Sequence, residues 1–158
     1  MTFELDTKEA IRLKVIRPVY ENLIINEELS GYIADKPIKS SADVAQLFSF
    51  LENETKEHFI AVHLNAKNKI ICVDRVSTGS LTASIVHPRE VMKSTLLSSA
   101  AAMVLVHNHP SSDPTPSRED IELTRRIKES ADLLGVRLLD HVIVGEGRHY
   151  SLADSGII

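Results

Sequence analysis

Residues 107–120 contain side chains whose types and spacing are those of a metal site. His107 and His109 follow the apolar run 103–106, and Asp120 follows a loop rich in Pro, Ser and Asp. Because alternate residues of a strand face the same side, we expect both imidazoles to point together at the end of this strand. The proline-stiffened loop can then bring the Asp120 carboxylate to them. Three N or O ligands with one open position are typical of a catalytic zinc site.

Hydrolysis at such a site needs two further groups. A zinc ion lowers the pKa of its water to about 7, and a base, commonly a carboxylate, must carry the proton to the leaving group. A hydrogen-bond donor at the oxyanion completes the site. Ser117, one helical turn before Asp120, is a candidate for this donor.

Ser117 and Asp120 also have a structural interpretation. The pattern S-x-x-D is close to a helix capping box, and capping does not exclude metal ligation. Two histidines at a strand end are by themselves a weak sign of metal binding, whereas their combination with Ser117 and Asp120 is far more specific. The letters HNH at 107–109 do not indicate an HNH nuclease, since that motif is spread over a ββα unit.

Hydrophobic periodicity places these residues among alternating helices and strands. Helices are predicted over 42–54 after a Ser41 cap, from Pro88 to about residue 100, and from a Ser117 cap to residue 134 before Gly135. Strands are predicted over 58–64, 69–76, 81–86, 103–106, 137–144 and 148–152, the first two forming a hairpin. The order indicates a mixed sheet with helices on its faces, of the α/β class.

The predicted helices have apolar stripes that we expect to be buried. They comprise Val44, Leu47, Phe48 and Leu51 in the first helix, Val91, Met92, Leu96, Leu97 and Ala100 in the second, and Ile121, Thr124, Ile127, Ala131 and Leu134 in the third.

Residues 1–40 form an N-terminal arm that we expect to pack on, or extend, a main domain at 41–158. Alternating apolar residues at 11, 13 and 15 predict a strand that Pro18 interrupts. An exposed strand in this arm would allow a homodimer to form by edge pairing.

Composition weighs against several functional classes. The chain has 158 residues, of which 43% are hydrophobic and 25% charged, as expected of one globular domain. A net charge of −4 gives no strong signal for nucleic acid binding. Cys72 is the one cysteine, so a metal must use His, Asp or Glu. There is no signal-peptide pattern and no run of about 18 apolar residues, so we expect a cytoplasmic protein without a membrane span.

Several separated segments together resemble a known family. His107, His109, Ser117 and Asp120 match H-x-H-x(7)-S-x-x-D, the JAMM motif of the JAB/MPN metalloprotease domain. The segments HPRE at 87–90, HNHPS at 107–111, DP-x-PS at 113–117 and LLDHVIVG at 138–145 resemble its RadC branch, bacterial proteins historically called DNA repair proteins. The resemblance covers 41–158 and implies the JAB/MPN, cytidine-deaminase-like fold, with a mixed sheet layered between helices.

The resemblance also implies an activity. It implies a zinc-dependent metalloprotease, with one Zn²⁺ per chain on His107, His109 and Asp120, that cleaves a peptide or isopeptide bond in an unknown protein or peptide. Ser117 would support the oxyanion.

An upstream glutamate belongs to the same motif and stands at the start of the strand that follows the first helix. Glu57 occupies this position and is thereby the candidate general acid/base. Glu52 and Glu54 are rivals by proximity, but both belong to the predicted helix.

The chain departs from the RadC pattern in two places. The arm is too short for the helix-hairpin-helix region that often precedes this domain, which puts a DNA-binding role in doubt. Ser112 stands where the family often has Gly, and we expect only a small change in loop geometry.

His141, which follows Asp140, has two interpretations. It can orient a metal ligand through a hydrogen bond, as ligating histidines usually require, or it can be a buried histidine satisfied within the sheet, which we favour slightly.

Three functions remain open from the sequence. The first is the zinc hydrolase, and the second is a non-catalytic JAB-type module that binds a partner in a DNA-repair or mobile-element context. The third is a nuclease, against which the acidic balance weighs.

Overall fold

The computed structural model describes residues 14–16, 18–21, 36–79 and 86–158. The strands in these ranges are β1 Glu57–Leu64, β2 Ile70–Gly79, β3 Ala102–Asn108, β4 Arg137–Gly145 and β5 Arg148–Ser151. The helices are α1 Ser41–Leu47, α2 Pro88–Leu97 and α3 Arg118–Leu133, and a 3₁₀ helix, Ser49–Asn53, follows α1.

The strands form one mixed sheet in the order β2-β1-β3-β4-β5. Only the β3–β4 pair is parallel among the strand pairs of the described residues. The α1 and 3₁₀ segments pack on one face of the sheet, and α2 and α3 pack on the other. This arrangement confirms the predicted α/β class, and it has the layering that the JAB/MPN resemblance implies.

Strand β3 is the central strand of the sheet, and the motif histidines lie at its C-terminal end. All seven of its residues are buried, as expected of a continuous apolar run covered on both faces. Strand β1 runs antiparallel to β3 and pairs Phe59 with His107. The end of β3 and the start of β1 therefore meet at the same edge of the sheet, which brings Glu57 beside the histidines.

Helix α1 begins and ends differently from the prediction. Its cap is Ser40, whose hydroxyl accepts from the Asp43 N–H while the Asp43 carboxylate accepts from the Ser40 N–H. The predicted cap, Ser41, instead donates its hydroxyl to Asp154 at 2.6 Å. The α-helix stops at Leu47, and a 3₁₀ turn continues it without losing the predicted buried face.

The buried stripe of helix α2 also differs from the prediction. Val91 and Met92 are buried, but Leu96 and Leu97 are 49% and 46% exposed and Ala100 is only partly buried.

Thr95 of α2 and Ser98, the residue that follows the helix, are buried instead, and both contact the fully buried His63 ring. A buried imidazole needs hydrogen-bonding partners, and this requirement outweighs the apolar pattern.

Helix α3 follows its prediction closely. Ser117 caps it, and Gly135, with φ +73°, ends it. Thr124, Ile127 and Ala131 are buried, whereas Ile121 is partly buried and Leu134 is exposed because it lies beyond the last helical turn.

Two sequence predictions fall partly outside the described residues. The arm residues 14–16 and 18–21 have no regular secondary structure and are exposed, and the rest of the predicted arm strand is not described. The end of the arm contacts the main domain, where the Ile38 N–H donates to the Asn68 carbonyl at 2.9 Å. The predicted strand 81–86 lies outside the described residues except for Val86. The homodimer stays a prediction, which sedimentation equilibrium would test.

None of the helices in the described ranges is both long and apolar enough to cross a membrane.

Candidate metal centre

The end of β3 and the start of α3 bring two imidazoles and a carboxylate together. The Nε2 atoms of His107 and His109 are 2.9 Å apart. Each lies 3.4 Å from a carboxylate oxygen of Asp120, His107 from Oδ1 and His109 from Oδ2. One ligand atom from each of the three side chains falls within 4.8 Å of the others.

Asp120 reaches this position through the capping box of α3. The Ser117 hydroxyl accepts from the Asp120 N–H at 3.1 Å, and the Asp120 Oδ2 atom accepts from the Ser117 N–H at 2.7 Å. The Ser117 hydroxyl also lies 2.6 Å from Oδ2. Capping and ligation are compatible, because the cap uses Oδ2 and leaves Oδ1 directed at His107.

The orientation of His109 is fixed from the loop side. Its Nδ1 atom lies 2.7 Å from the Asp113 carbonyl oxygen. A carbonyl can only accept, so Nδ1 carries the proton in this contact. A neutral His109 ring then has its free lone pair on Nε2, directed at His107.

The electrostatics keep His107 neutral. Burial lowers the pKa of His107 to about 4, against the opposing effect of the Asp120 charge. The hydrogen bond to Asp120 raises the pKa of His109. Burial alone would raise the pKa of Asp120, but hydrogen bonds from His109 and Ser117 and the nearby His107 hold it well below its usual range. The carboxylate is therefore ionised at neutral pH.

This donor set fits zinc. When both rings are neutral, two nitrogen lone pairs and a carboxylate converge on one point, and acceptors this close repel each other unless a cation or a proton lies between them. Imidazole and carboxylate are ligands that zinc takes in catalytic sites with three protein ligands.

Glu57 lies at the first position of β1, on the same face as Phe59 and therefore on the side of the two histidines. Burial, followed by the negative charge of Asp120, raises the pKa of Glu57, while His109 opposes the rise. A cleft of about 290 Å³ opens beside it and is lined by Glu57, Phe59, Val86, Glu119, Asp120, Glu122, Leu123 and Arg126. Glu57 and Asp120 thus share one solvent-accessible cleft.

The two rival glutamates face other partners. The Glu54 carboxylate lies 3.3 Å from the His58 Nε2 atom, and the Glu52 carboxylate accepts from the Gly147 N–H. Neither contact directs a carboxylate to the ligand cluster.

Asn108 positions the start of β1, a role that sequence reasoning missed. Its Oδ1 accepts from the His58 N–H at 2.8 Å, and its amide donates to the Lys56 carbonyl at 3.0 Å. These two bonds hold the backbone on either side of Glu57. The sequence carried one signal for this role. Side chains alternate along β3, so Asn108 faces the opposite side of the sheet from His107 and His109.

His141 contacts the site, in contrast to the favoured interpretation of a histidine satisfied only within the sheet. Its Nε2 atom lies 2.7 Å from the Nδ1 atom of His107, and both rings are fully buried. Thr124, predicted only as a buried helix residue, contacts the other ring nitrogen of His141 at 2.6 Å.

Ser112 adopts a left-handed conformation, with φ +63°, in the loop between the ligands. Glycine, which the resemblance implies at this position, takes this conformation without a steric cost. The chain accommodates Ser112 with its N–H donating to the His109 carbonyl at 2.9 Å.

The same loop packs closely on Gly145, which leads to a stability prediction. A Cβ atom at this position would clash with the Ser112 carbonyl oxygen and lie 2.8 Å from Pro114 Cδ. We expect Gly145→Ala to displace the loop, to destabilise the protein by about 1–3 kcal/mol, and to weaken the Asp113 contact that orients His109. Urea unfolding measures the first effect.

Gly147→Ala is the control for this substitution. Gly147 has φ +62° and no atom within 4 Å of an added Cβ, so the change costs about 1–2 kcal/mol of backbone strain without moving the loop. Wild-type stability of Gly145→Ala would contradict the close packing.

Comparison with known proteins shows the family of this chain. The family model of the RadC-like JAB domain matches residues 38–157. A UPF0758 protein of Caldanaerobacter subterraneus is 45% identical over 94% of this chain and 62% of its own length. A UPF0758 protein of Methanosarcina acetivorans is 51% identical over 78% of this chain and 54% of its own length.

The chain thus spans about half to three fifths of these relatives, and their names state no activity. The family match includes β1, the β3 histidines and the first turn of α3. The chain therefore belongs to the family of RadC-like JAB domains.

Proposed function

We propose that this chain is a zinc-dependent peptidase that cleaves a peptide or isopeptide bond. The observation that carries the proposal is the convergence of His107 Nε2, His109 Nε2 and the Asp120 carboxylate, with Glu57 in the adjoining cleft. A bound zinc ion supplies Lewis acidity that polarises the scissile carbonyl and makes water acidic enough to deprotonate near neutral pH.

Glu57 moves the proton in this proposal. Its carboxylate accepts a proton from the attacking water and returns it to the departing amine, as one general acid/base serves both steps. A pKa raised by burial and by Asp120 suits this exchange, because a base works best when its pKa is near the operating pH. The two Asn108 hydrogen bonds hold the backbone that presents Glu57.

Ser117 is proposed to donate to the developing oxyanion. Ser117 is an exposed residue that caps α3, and its hydroxyl lies 2.6 Å from the Asp120 carboxylate. The cap remains after the hydroxyl hydrogen rotates, because the Ser117 N–H still donates to Asp120 and the Ser117 oxygen still accepts. The Ser117 hydroxyl can therefore donate its hydrogen to a substrate while the other two capping hydrogen bonds of α3 stay in place.

The cleft supports a polypeptide substrate. Phe59, Val86 and Leu123 supply apolar surface beside the ligands, while Glu119, Glu122 and Arg126 supply charged groups. A mixed apolar and polar wall of this kind suits an extended peptide segment better than a purely charged polymer.

Metal removal and restoration test the proposal. The zinc-loaded protein is incubated with a panel of peptides and isopeptide-linked peptides, and the products are identified by mass spectrometry. We expect cleavage that a chelator abolishes and that one equivalent of zinc restores. A zinc-loaded protein that cleaves no member of the panel but binds a protein partner tightly would overturn the peptidase and favour a binding module. Zinc-dependent nicking of plasmid DNA would favour a nuclease.

A further inference from the structure

A line of buried groups connects the rear of the His107 ring to the first turn of α3. The His107 Nδ1 atom lies 2.7 Å from His141 Nε2, and His141 Nδ1 lies 2.6 Å from the Thr124 hydroxyl. The Thr124 hydroxyl in turn lies 2.6 Å from the main-chain carbonyl of Asp120. His107, Thr124 and His141 are fully buried, so water does not substitute for any of these contacts.

The hydrogen positions along this line follow from its last member. The Asp120 carbonyl can only accept, whereas the Thr124 hydroxyl has one hydrogen for two contacts. Both contacts contain a hydrogen only if the hydroxyl donates to the carbonyl and His141 Nδ1–H donates to the hydroxyl. In the opposite arrangement, two oxygen acceptors would face each other at 2.6 Å with no hydrogen between them.

The same reasoning extends to His107. A neutral His141 with its proton on Nδ1 has a lone pair on Nε2, which must accept from His107 Nδ1–H. A neutral His107 with its proton on Nδ1 has its own lone pair on Nε2. This is the nitrogen that faces His109 and Asp120.

We infer that Thr124 and His141 are positioning residues that select the tautomer of His107 in which Nε2 is free to bind a cation. The inference deepens the proposed function, because the cation it serves is the zinc of that site. Donation from a ligating imidazole to an outer partner is the usual means of fixing both its tautomer and its ring orientation. Here the line of hydrogen bonds ends at the Asp120 backbone carbonyl, which is an acceptor in every protonation state.

Asp120 contacts both the metal-binding nitrogens and the far end of this line of hydrogen bonds. Its carboxylate faces the two Nε2 atoms, and its carbonyl sets the hydrogen position on Thr124. Phe59 holds the rings from the side, stacked on His107 at 5.9 Å and edge-on to His141 at 5.4 Å between ring centroids. The first turn of α3 therefore supplies a ligand and also orients a ligand on β3.

Thr124→Val tests the inference with the smallest change, since it removes the hydroxyl and keeps the shape. Without an acceptor, the His141 proton has no reason to stay on Nδ1. If it moves to Nε2, it faces His107 Nδ1 and drives the His107 proton onto the metal-binding nitrogen. We expect the zinc affinity to fall about 10–100-fold, measured by competition with a chromophoric chelator.

Two further variants separate this effect from a packing defect. Thr124→Ser restores the hydroxyl and should recover most of the affinity. Thr95→Val is the matched control, because Thr95 is a buried helix residue that donates to the carbonyl four residues earlier and contacts the buried His63. It should leave the zinc affinity unchanged, and circular dichroism verifies that all three variants are folded.

Histidine ¹⁵N spectra of the metal-free protein give a second, independent readout. We expect His107 and His141 to carry their protons on Nδ1 in the wild type, and His141 to lose this preference in Thr124→Val. Protons on Nε2 in the wild type, or a Thr124→Val protein that binds zinc as tightly as the wild type, would overturn the inference. A wild type that binds no zinc would instead overturn the proposed function, and the spectra would still decide the tautomers.

Discussion

Replacing Glu57 with Gln is expected to lower the rate of zinc-dependent hydrolysis by about 10²–10⁴-fold, the usual contribution of a general acid/base. The amide has nearly the same shape as the carboxylate but cannot accept the proton of the attacking water. Glu57 is absent from the cluster of ligand atoms, so the variant should keep its zinc. Rate and metal content are measured on the same preparation.

Glu52→Gln and Glu54→Gln are the matched controls for this prediction. Both are glutamates that precede β1, but they contact Gly147 and His58 instead of facing the cluster. We expect near wild-type rates for both. A Glu57→Gln protein that retains its rate, or a Glu54→Gln protein that loses it, would assign the proton transfer to another group.

The second large effect is expected from removal of both β3 histidines. A His107→Ala, His109→Ala double variant should lose zinc, falling from about one ion per chain to none by elemental analysis, because a single carboxylate does not hold the ion. Zinc should also stop stabilising the protein, since a ligand at 100 times its Kd contributes about 2.7 kcal/mol to the folded state.

A His87→Ala, His149→Ala double variant controls for the loss of two imidazoles. Neither residue belongs to the cluster, so its zinc content should match the wild type. Because His107 is fully buried, the His109→Ala single variant provides a milder change should the double variant fold poorly. Retention of a full zinc equivalent by a folded double variant would remove the ion from this site.

The site was predictable where its residues are close in sequence. Strand alternation brings His107 and His109 to one face, and a helix cap fixes Asp120 relative to Ser117, so local rules suffice for the three candidate ligands. Glu57 is distant in sequence and pairs with this edge only through the register of β1 with β3. Pattern alone left it among three glutamates, and the family resemblance selected it.

The error in the buried stripe of α2 and the missed role of His141 arose where buried polar groups compete with apolar periodicity. Leu96 and Leu97 fit a hydrophobic stripe, yet the helix turns Thr95 and Ser98 inward because His63 is buried and requires partners. His141 and Thr124 likewise meet across a sheet–helix interface. Neither pairing leaves a signal in the spacing of residues along one element, so each becomes visible only in three dimensions.

The central claim is that His107, His109 and Asp120 hold one zinc ion beside Glu57. An anomalous difference map recorded above and below the zinc edge, from crystals of the zinc-loaded protein, tests it most directly. The account predicts one peak per chain, bounded by the two Nε2 atoms and the Asp120 carboxylate, with the Glu57 side chain facing it. A map with no peak among these three side chains, or with its peak at another site, would contradict the account.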